Sequence, residues 1–546
     1  MPSVSKLLPR VAVLMVTGAL VATTACGPID SSDGDGAGGG DRQIRAGGEL
    51  RVALAEEPDL LDPTLARTLV GRVVFNAICE KLYDVDADLN LVPQLAAEMP
   101  EVSGDGLTMT VSIRQGVMFA DGTSLDAGAV KASLDRHREL EGSARSSELT
   151  SVDSVDVVDE FTVRLNLNAP FAPLTAVLAD RSGMIMSPTA VEEKGEDFGT
   201  DPVCVGPFRF SDRVAQDRIE VVKDPNYYDA GNVHLDQVTY LIIADSTTRF
   251  NNLLSGEVEV LDRVAPTDVA ALEAESNLSL ISSESLGYQG ITINVGNVDG
   301  VTQPPGELSG EFASPLSRSA AARRALERSL DRAAINEAVF RGQFAPACGP
   351  ISPASPLSSD QAQACPAYDT DAAQDILARA GVETPVRIEM MIGTDAQARR
   401  LGEAIQAQAA AGGFEIELNP TEFSAALDLG DQGRYQSFQI GWSGRVDPDG
   451  NIASFLTTQA PLNMAGYSNP DVDRLIEEAR ASTDLAERRQ LYGQMMEIVR
   501  EEAPIIYLYR QKNLTGVSSG VAGVEVYGDG LLRFAHAGFV DDPTGG

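Results

Sequence analysis

The segment GWSGRVDPDG, residues 441–450, gathers side chains that could bind a ligand. Trp442 is the single tryptophan among 546 residues, and Arg445 follows it in a chain whose formal charge is −38. A guanidinium offers a planar fork that fits a carboxylate or a phosphate, and an indole offers an apolar wall. We interpret the segment as a pocket loop, in which Trp442, Ser443, Arg445 and Asp447 are candidate ligand residues.

Each candidate in this loop also has a structural interpretation. Trp442 could belong to the core, because it stands at the end of a strand-like run. Arg445 could brace the loop by pairing with Asp447 or Asp449, and Asp447-Pro448 is ordinary turn chemistry. The sequence alone leaves these alternatives open.

Catalytic motifs are absent from the sequence. Ser443 has Gly441 before it but Arg445 two positions after it, so no G-x-S-x-G is present, and H-E-x-x-H is also missing. Three histidines in the whole chain leave few general bases near neutral pH and few metal ligands. We therefore predict a protein that is not an enzyme and that holds no metal or cofactor.

One stretch begins like a calcium-binding loop. DVDADL, residues 84–89, has aspartates at alternate positions. Leu89 stands where the turn glycine belongs, and Leu95 where the bidentate glutamate belongs. We expect a solvated turn between two strands.

Strand-like and helix-like segments alternate around the candidate residues. YQSFQIGW predicts a strand that leads directly into the pocket loop, and two helices follow over Pro470–Ala481 and Leu485–Glu502. Residues 124–138 predict a helix with Ser124 as its N-cap, and residues 319–340 predict one long helix. The alternation implies an α/β fold with sheets covered by helices.

Length and composition bound the class of protein. A chain of 546 residues exceeds one compact core and suggests two or more lobes. Hydrophobic residues make up 43% and charged residues 22%, which is typical of a globular protein. The 80 acidic residues against 42 basic ones argue against nucleic acid as a partner.

The N-terminus has the pattern of an export signal. Lys6 and Arg10 precede an apolar run, residues 11–22, that is too short to span a bilayer as a helix. The run ends at small residues and Cys26, which resembles a bacterial lipobox with Cys26 as the lipidated N-terminus. An ordinary secretory signal is the alternative. Residues 27–48 form a glycine-rich tether, so we expect an exported protein anchored on the outer face of the cytoplasmic membrane.

Four further cysteines remain after Cys26. An even number in an exported chain predicts disulfides, and three pairings are possible. Cys348 and Cys365 flank one loop rich in proline and serine, so we pair them. Cys79 then pairs with Cys204 by elimination.

Many segments resemble one protein family in its own order. They include GGELRVALAEEPDLLDPTLA, EKLYDVDADLNLVPQLAAEM, VGPFRF, DPNYYDAGNVHLDQVTYLII and EEAPIIYLY. They are similar to ABC-transporter extracellular solute-binding proteins of the dipeptide/oligopeptide/nickel family, solute-binding protein family 5. The similarity extends over about residues 47 to 526.

The resemblance implies a fold and a function. The fold is the two-lobed periplasmic-binding-protein-like type II fold of the large peptide-binding class, with a hinge and a ligand cleft between the lobes. One lobe would hold residues 49–299 and 504–546, and the other residues 300–503. The function implied is capture of a peptide or peptide-like solute and its delivery to an ABC permease, by a monomer. A signalling or scaffold lipoprotein, a metal-chelate receptor and a cell-wall hydrolase are the alternatives.

The resemblance also carries an expectation about the pocket loop. Peptide binders of the family commonly read G-W-x-x-D there, and the aspartate holds the peptide's ammonium group. Here Arg445 stands in place of that aspartate, so the charge is reversed. We therefore expect a ligand that presents an anionic group to Arg445.

Two other stretches supply candidate ligand residues. Glu57 lies in the loop after the first strand, and Tyr288 begins a strand toward the crossing between the lobes. Such positions suit a ligand pocket, which needs fixed charges and polar groups around an apolar body. A solvated rim for Glu57 and hinge packing for Tyr288 are the alternatives.

Overall fold

The computed structural model describes residues 43–540. The predicted signal, the predicted lipidation site Cys26 and most of the predicted tether lie outside the described residues. Ile44 and Arg45, which we placed in the tether, form a strand paired with Gly538–Val540. The guanidinium of Arg45 lies 5.6 Å from the ring centroid of Phe539 and adds a cation–π contact to this pairing. The folded part therefore begins before residue 49.

The strands are numbered in chain order over the described residues. They are β1 (Ile44–Arg45), β2 (Glu49–Leu54), β3 (Tyr83–Val85), β4 (Leu91–Pro93), β5 (Glu101–Val102), β6 (Thr108–Ser112), β7 (Val152–Asp159), β8 (Thr162–Leu167), β9 (Phe208–Val214), β10 (Arg218–Lys223), β11 (Gln237–Ile242), β12 (Val260–Leu261), β13 (Leu278–Glu284), β14 (Tyr288–Ile293), β15 (Ala345–Pro346), β16 (Val386–Ile392), β17 (Phe414–Pro420), β18 (Ser437–Trp442), β19 (Ile505–Arg510), β20 (Lys512–Ser518), β21 (Val521–Ala522), β22 (Glu525–Val526), β23 (Leu532–Arg533) and β24 (Gly538–Val540).

The α-helices are numbered in the same way. They are α1 (Leu69–Ile78), α2 (Ala127–Glu139), α3 (Leu174–Val177), α4 (Pro188–Lys194), α5 (Ser246–Ser255), α6 (Val269–Glu273), α7 (Pro315–Arg318), α8 (Ala320–Arg328), α9 (Arg332–Phe340), α10 (Asp360–Gln363), α11 (Thr370–Arg379), α12 (Ala396–Ala411), α13 (Phe423–Asp431), α14 (Asp449–Leu456), α15 (Pro470–Ala481) and α16 (Leu485–Glu502). Short 3₁₀ turns lie at Ser146–Leu149, Arg181–Gly183, Gly195–Thr200, Ala230–Asn232 and Gly310–Phe312.

Two large mixed sheets organise the described residues. The first has the order β13-β20-β12-β2-β11-β10-β9, and the second has the order β15-β19-β14-β18-β16-β17. We use lobe I for residues 43–284 and 512–540, which carry the first sheet. Lobe II denotes residues 288–510, which carry the second. The chain thus passes between the sheets at 285–287 and at Gln511.

The sheet pairing corrects the boundaries that we placed at residues 300 and 503. Strand β14 pairs with β18 and β19, and all three belong to the second sheet. The pairing is antiparallel along both edges of β14, from Tyr288 opposite Trp442 to Ile293 opposite Ser437 on one side. Strand β14 therefore belongs to lobe II as a whole, although the boundary expected at residue 300 would place it in lobe I.

A smaller antiparallel sheet extends lobe I. Its order is β5-β6-β8-β7, and helix α2 packs on it. Strands β7 and β8 form a hairpin whose turn is at Glu160 and Phe161. Asp126 caps α2 by accepting a hydrogen bond from the N–H of Ala129 at 2.8 Å, so Ser124 is not the cap.

The long helix predicted over residues 319–340 is two helices. Ser319 caps α8, and α8 ends at Arg328. Asp331 then starts α9 by accepting a hydrogen bond from the N–H of Ala334 at 3.0 Å. A second capping aspartate inside an apolar stripe divides a helix that periodicity alone would continue. Helices α15 and α16 keep the predicted bounds.

Three large apolar clusters form the cores of the two lobes and of the hinge between them. One lies within lobe I and includes Phe75, and another lies within lobe II and includes Tyr492. The third passes under the hinge, because Ala53 and Leu514 of lobe I share it with Ile506 of lobe II. The two sheets are therefore joined by packed side chains as well as by the crossing segments.

Both predicted disulfides are confirmed. Cys79 bonds to Cys204, which ties the end of α1 to the segment before β9, and Cys348 bonds to Cys365 within lobe II. The turn that we expected between two strands at residues 84–89 is confirmed in part: residues 86–90 join the antiparallel strands β3 and β4, but Asp84 and Val85 belong to β3 and Leu89 is buried. Across residues 43–540, none of the helices has the length and apolar character needed to cross a membrane.

Candidate functional site

Strand β18 delivers the pocket loop to the space between the lobes. One edge of β18 pairs along its whole length with β14. Its other edge pairs with β16 only at Ser437 and Phe438, so residues 439–442 have no strand on that side within the described chain. An unpaired edge of this kind offers N–H and C=O groups to an extended peptide backbone.

Asn451 in helix α14 fixes the shape of the loop. Its side-chain oxygen accepts hydrogen bonds from the indole Nε1 of Trp442 at 3.0 Å and from the main-chain N–H of Arg445 at 2.6 Å. Its side-chain nitrogen donates to the carbonyl of Arg445 at 3.0 Å. Asn451 is buried, so one amide side chain holds both candidate ligand residues in place.

Two glycines give the loop the room that it needs. Gly444 has a φ of +90°, and a Cβ there would lie 2.4 Å from the carbonyl carbon of Leu286 in the crossing segment. A Cβ on Gly450 would lie 2.7 Å from the Cγ of Arg445. The loop can therefore pack against the hinge and enclose the arginine stem only with glycine at both positions.

Trp442 supplies an aromatic surface beneath the arginine. Its ring packs edge-on against Phe455, with 5.0 Å between centroids, and the guanidinium carbon of Arg445 lies 4.4 Å from the indole centroid. The indole is thus half in the lobe II core and half in a cation–π contact. The core interpretation of Trp442 therefore describes part of its environment, and its contact with a ligand stays a prediction.

Arg445 reaches across to lobe I. Its Nε lies 3.3 Å from Oδ2 of Asp180, and its Nη2 lies 3.8 Å from Oε1 of Glu148. The Arg445 side chain is only 16% exposed. The lobes are in contact at this point, and a residue of the pocket loop makes the contact.

Arg445 pairs with neither Asp447 nor Asp449, the two partners that we considered for it in bracing the loop. Asp447 is held by both terminal nitrogens of Arg488 at 2.8 Å, and Asp449 is held by Arg480 at 2.7 Å and 3.1 Å. Both aspartates are thereby directed into lobe II. Their arginines are on helices α15 and α16, which the sequence did not connect with the loop.

Lobe I contributes three buried arginines and two carboxylates to the same place. Arg72 of α1 donates from Nε to Oδ1 of Asp180 at 3.0 Å, and Arg145 donates from Nη1 to Oε1 of Glu148 at 2.7 Å. Arg181 donates to the carbonyl of Ala66 at 2.8 Å. Arg72, Arg145 and Arg181 are 4%, 3% and 2% exposed. We call these five residues together with Arg445 the arginine cluster.

The charges within the arginine cluster act strongly on one another. Burial alone would raise the pKa of Asp180, but the guanidinium of Arg72, followed by those of Arg445 and Arg181, holds the pKa well below its usual value. Burial, with a further contribution from Arg145, lowers the pKa of Arg181. Burial also lowers the pKa of Arg445, against the opposing effect of Asp180. Asp180 is therefore ionised, and the arginines surround it.

Several polar atoms of the arginine cluster make no hydrogen bond within residues 43–540. They are Nη1 of Arg72, Nε of Arg145, Nε of Arg181 and Oδ2 of Asp180. Each is buried, and buried polar atoms of this kind are rare in native proteins. The cluster thus has donor capacity that the protein itself does not use.

Two predicted ligand residues lie beside the loop. Tyr288 stands opposite Trp442 in the sheet, and its ring packs against Tyr507 at 4.9 Å and Phe455 at 6.2 Å. Burial raises the pKa of Tyr288 well above its ordinary value. Ser443 is half-buried next to Trp442. The structure therefore brings Trp442, Ser443, Arg445 and Tyr288 together.

Glu57 and Asp447 stand apart from this group in ion pairs of their own. One carboxylate oxygen of Glu57 accepts from Nε and Nη2 of Arg213 at 3.0 Å and 2.7 Å, and the other accepts from the N–H of Gln216 at 3.1 Å. Asp447 is bound by Arg488, as described above. A ligand would have to compete with these bonds at either carboxylate.

The sequence reasoning missed the lobe I half of the cluster and Asn451. One signal was available for part of it. Asp180-Arg181 interrupts a stretch that is otherwise apolar, between residues 174–179 and 184–186. A charged pair inside such a stretch indicates ion pairing in a buried place. Arg72 gives a similar signal inside the apolar run LVGRVVF, residues 69–75, whereas Arg145 carries none.

The described residues also bear on metal binding. Within residues 43–540, no group of three or more His, Cys, Asp or Glu side chains is placed to hold a metal ion. The groups that this part of the chain offers to a ligand are arginines, an indole and an unpaired strand edge.

Fold and site together define a two-lobed binding protein with its charged loop at the lobe interface. The chain belongs to the bacterial extracellular solute-binding proteins of family 5, whose middle-region profile matches residues 90–463. The predictions of family and fold class are confirmed.

Individual relatives extend the similarity over nearly the whole chain. The glutathione-binding protein GsiB of Escherichia coli O1:K1 is 28% identical over 501 residues, which covers 90% of this chain and 94% of the relative. GsiB of Pectobacterium atrosepticum is 29% identical over 498 residues, with 89% and 93% covered.

Solved structures show the same fold. AgaA of A. tumefaciens R10, in complex with agropinic acid, superposes with a TM-score of 0.76 at 26% identity and covers 90% of this chain and 96% of its own. The periplasmic binding protein DppA of Helicobacter pylori, in complex with the peptide STSA, gives a TM-score of 0.79 at 22% identity, with 91% and 99% covered. These relatives are binding proteins, and DppA is associated with an ABC transporter.

Proposed function

We propose that the protein is a lipid-anchored receptor that captures a peptide or peptide-like solute between its lobes and delivers it to the permease of an ABC importer. The anchor would be Cys26, on the outer face of the bacterial cytoplasmic membrane. The receptor would act as a monomer and would not transform its ligand. Family membership supports the receptor role, and the sequence pattern before Cys26 supports the anchor.

The contact between Arg445 and Asp180 is the observation that carries the proposal. A residue of the pocket loop in lobe II meets a buried carboxylate of lobe I at 3.3 Å. A ligand placed here touches both lobes, so its binding energy favours the arrangement in which the lobes are together. A permease can then recognise the loaded receptor by its closed shape.

Two features of the site favour a peptide-like ligand with an anionic group. The unpaired edge of β18 suits an extended backbone, and Arg445 suits a carboxylate. The relatives named for glutathione and crystallised with agropinic acid handle ligands that carry carboxylate groups. We propose ligand contacts for Trp442, Ser443, Arg445 and Tyr288.

Glu57 and Asp447 take a different place in the proposal. Their carboxylates already hold Arg213 and Arg488. We propose that they shape the walls of the cleft through these pairs. Ligand contact by either residue would require the pair to open.

Mass spectrometry of the solute released from the purified, denatured protein tests the receptor role. A bound peptide or peptide-like compound is expected, and adding it back is expected to reduce the radius of gyration in small-angle scattering. A protein that retains no solute, and that no compound of a peptide library closes, would contradict uptake and favour a signalling or scaffold role. Conversion of the bound compound would favour a hydrolase.

The variant Arg445→Ala tests the ligand contact. We expect affinity for the recovered solute to fall roughly a hundredfold, because the buried pair between Arg445 and the anionic group of the solute loses one partner. Arg387→Ala is the matched control, since Arg387 forms an exposed pair with Glu415 in lobe II. Equal affinity in both variants would remove Arg445 from the site.

A separate experiment tests the anchor. Metabolic labelling with a fatty acid is expected to label the wild-type protein in membranes, and Cys26→Ser is expected to lose the label and enter the soluble exported fraction. A labelled Cys26→Ser variant would contradict lipidation at this residue. The result is independent of the ligand.

A further inference from the structure

The arginine cluster carries more positive than negative charge. Four guanidinium groups face two carboxylates, Asp180 and Glu148, which leaves an excess of two positive charges. The chain as a whole has a formal charge of −38, so the cluster opposes the general balance of the protein. Buried charges without partners are costly, and proteins retain them where a ligand completes the balance.

Neighbouring charged residues do not supply the missing negative charge. Lys81 and Arg533 share Asp84 at 2.7 Å and 3.3 Å, and Arg533 also binds Asp529 at 2.7 Å. These two cations and two carboxylates balance one another. The excess on the arginine cluster therefore remains when these four neighbours are counted.

Contact between the lobes increases this excess. Without Arg445, the lobe I part has three arginines against two carboxylates, which leaves one positive charge in excess. Bringing Arg445 into the group adds a second positive charge to a place that is already positive. The attraction between Arg445 and Asp180 is local, whereas the buried arrangement as a whole favours the entry of an anion.

The unused donors indicate what kind of anion fits. Nη1 of Arg72, Nε of Arg145 and Nε of Arg181 are N–H groups without acceptors, and all three belong to planar guanidinium groups. Carboxylates and other oxyanions accept several such bonds at once. An oxyanion supplies both the charge and the acceptors that the cluster lacks.

We propose that the arginine cluster is the binding site for an oxyanion group of the solute, and that this group stabilises the contact between the lobes. The inference rests on the receptor role proposed above and assigns the ligand class: solutes with a free carboxylate or a comparable oxyanion. The donors are enclosed when the lobes are together, so the anion enters while they are apart. Arg445 then covers it from lobe II.

Paired ligands test the proposal directly. The solute recovered by mass spectrometry is compared with its amide or ester, in which the acidic group is neutralised. We expect roughly a hundredfold weaker binding of the neutral derivative and a smaller change in the radius of gyration. A recovered solute without an oxyanion, or equal binding of acid and amide, would overturn the inference and leave the receptor role standing.

Variants that remove either a positive or a negative charge from the arginine cluster test its charge balance. Arg72→Met and Arg145→Met remove one positive charge each and are expected to bind the acidic solute at least tenfold more weakly. Glu148→Gln removes a negative charge and is expected not to weaken it. Arg324→Met is the control, because Arg324 forms an exposed pair with Glu501. If Arg72→Met and Arg145→Met retain wild-type affinity, the cluster is not the anion site.

Simple anions serve as probes if no solute is retained. Glutathione and inorganic phosphate are each compared with chloride at equal ionic strength. We expect either oxyanion probe to raise the melting temperature of the wild-type protein and to have no such effect on Arg145→Met. Thermal unfolding of the variants without ligand checks that they fold. Absence of any oxyanion effect on the melting temperature of the wild-type protein would contradict the proposal.

Discussion

The guanidinium of Arg445 and the carboxylate of Asp180 come from opposite lobes and meet at 3.3 Å, Nε to Oδ2. Arg445 lies over the indole of Trp442, and Asp180 is also bound by Arg72. A single contact therefore links the pocket loop of lobe II, the hinge side of the second sheet and helix α1 of lobe I. Separation of the lobes at this point breaks it.

Asp180→Asn is expected to lower the free energy of unfolding by roughly 3–5 kcal/mol, because several buried arginines lose their carboxylate. Urea denaturation measures the change. Asp375→Asn is the control, since the pair of Asp375 with Arg379 is exposed and should contribute nothing measurable. Equal stabilities of the two variants would contradict the role of Asp180 as the centre of the cluster.

Trp442 should report the closure of the lobes in solution. It is the only tryptophan, and its ring contacts the residue that crosses to lobe I. We expect bound solute to shift its fluorescence to shorter wavelength, because closure removes water from the indole. The ligand-free Asp180→Asn variant should emit at longer wavelength than the wild-type protein. If a solute closes the lobes in small-angle scattering and leaves the tryptophan emission unchanged, this placement of Trp442 is contradicted.

The Cys79–Cys204 bond should stabilise the protein more than the Cys348–Cys365 bond. The two bonds close loops of 125 and 17 residues. In the chain-entropy model they contribute about 5 and about 3 kcal/mol, because the longer loop restricts the unfolded chain more. Unfolding of the two double Cys→Ser variants in urea checks the order, and a reversed order would indicate that native contacts rather than chain entropy decide it.

Local patterns in the sequence account for much of this structure. Helices α15 and α16 begin at Asn469 and Asp484 caps and follow apolar stripes, so periodicity and capping set their bounds. The strand YQSFQIGW ends at Trp442, so the position of the pocket loop at a strand end was also predictable. Each of these features depends on residues close together in the chain.

The charged partners of the loop depend on distant residues and could not be predicted. Asp180 is far from Arg445 in sequence, and Arg488 binds Asp447 from a helix that follows the loop. Pairing by proximity favoured Asp447 and Asp449 for Arg445. The fold instead gives each of these aspartates an arginine of its own and leaves Arg445 for the other lobe.

Glu80 is a buried carboxyl group with an unusual set of neighbours. The hydroxyl of Tyr227 donates to it at 2.6 Å and that of Tyr228 at 3.0 Å, and no cation hydrogen-bonds to it within the described residues. Burial, with a smaller contribution from Asp84, raises the pKa of Glu80 from 4.5 to about 7, although the two tyrosines and Lys81 oppose the shift. The folded protein thus binds a proton at Glu80 that the unfolded chain has already released.

Glu80→Gln is expected to remove a pH dependence of stability. Because the folded pKa is the higher one, stability from Glu80 is fully present below pH 4.5 and is lost as the pH rises through about 7. The variant should therefore gain about 3 kcal/mol relative to the wild-type protein over this window. His137, whose pKa burial lowers to about 4, acts in the opposite direction but is common to both proteins and cancels. Urea unfolding of both proteins across the window measures the difference in stability. Glu139→Gln, at an exposed glutamate, is the control and should show no such difference from the wild-type protein. A difference between Glu80→Gln and the wild-type protein that does not change with pH would contradict the raised pKa.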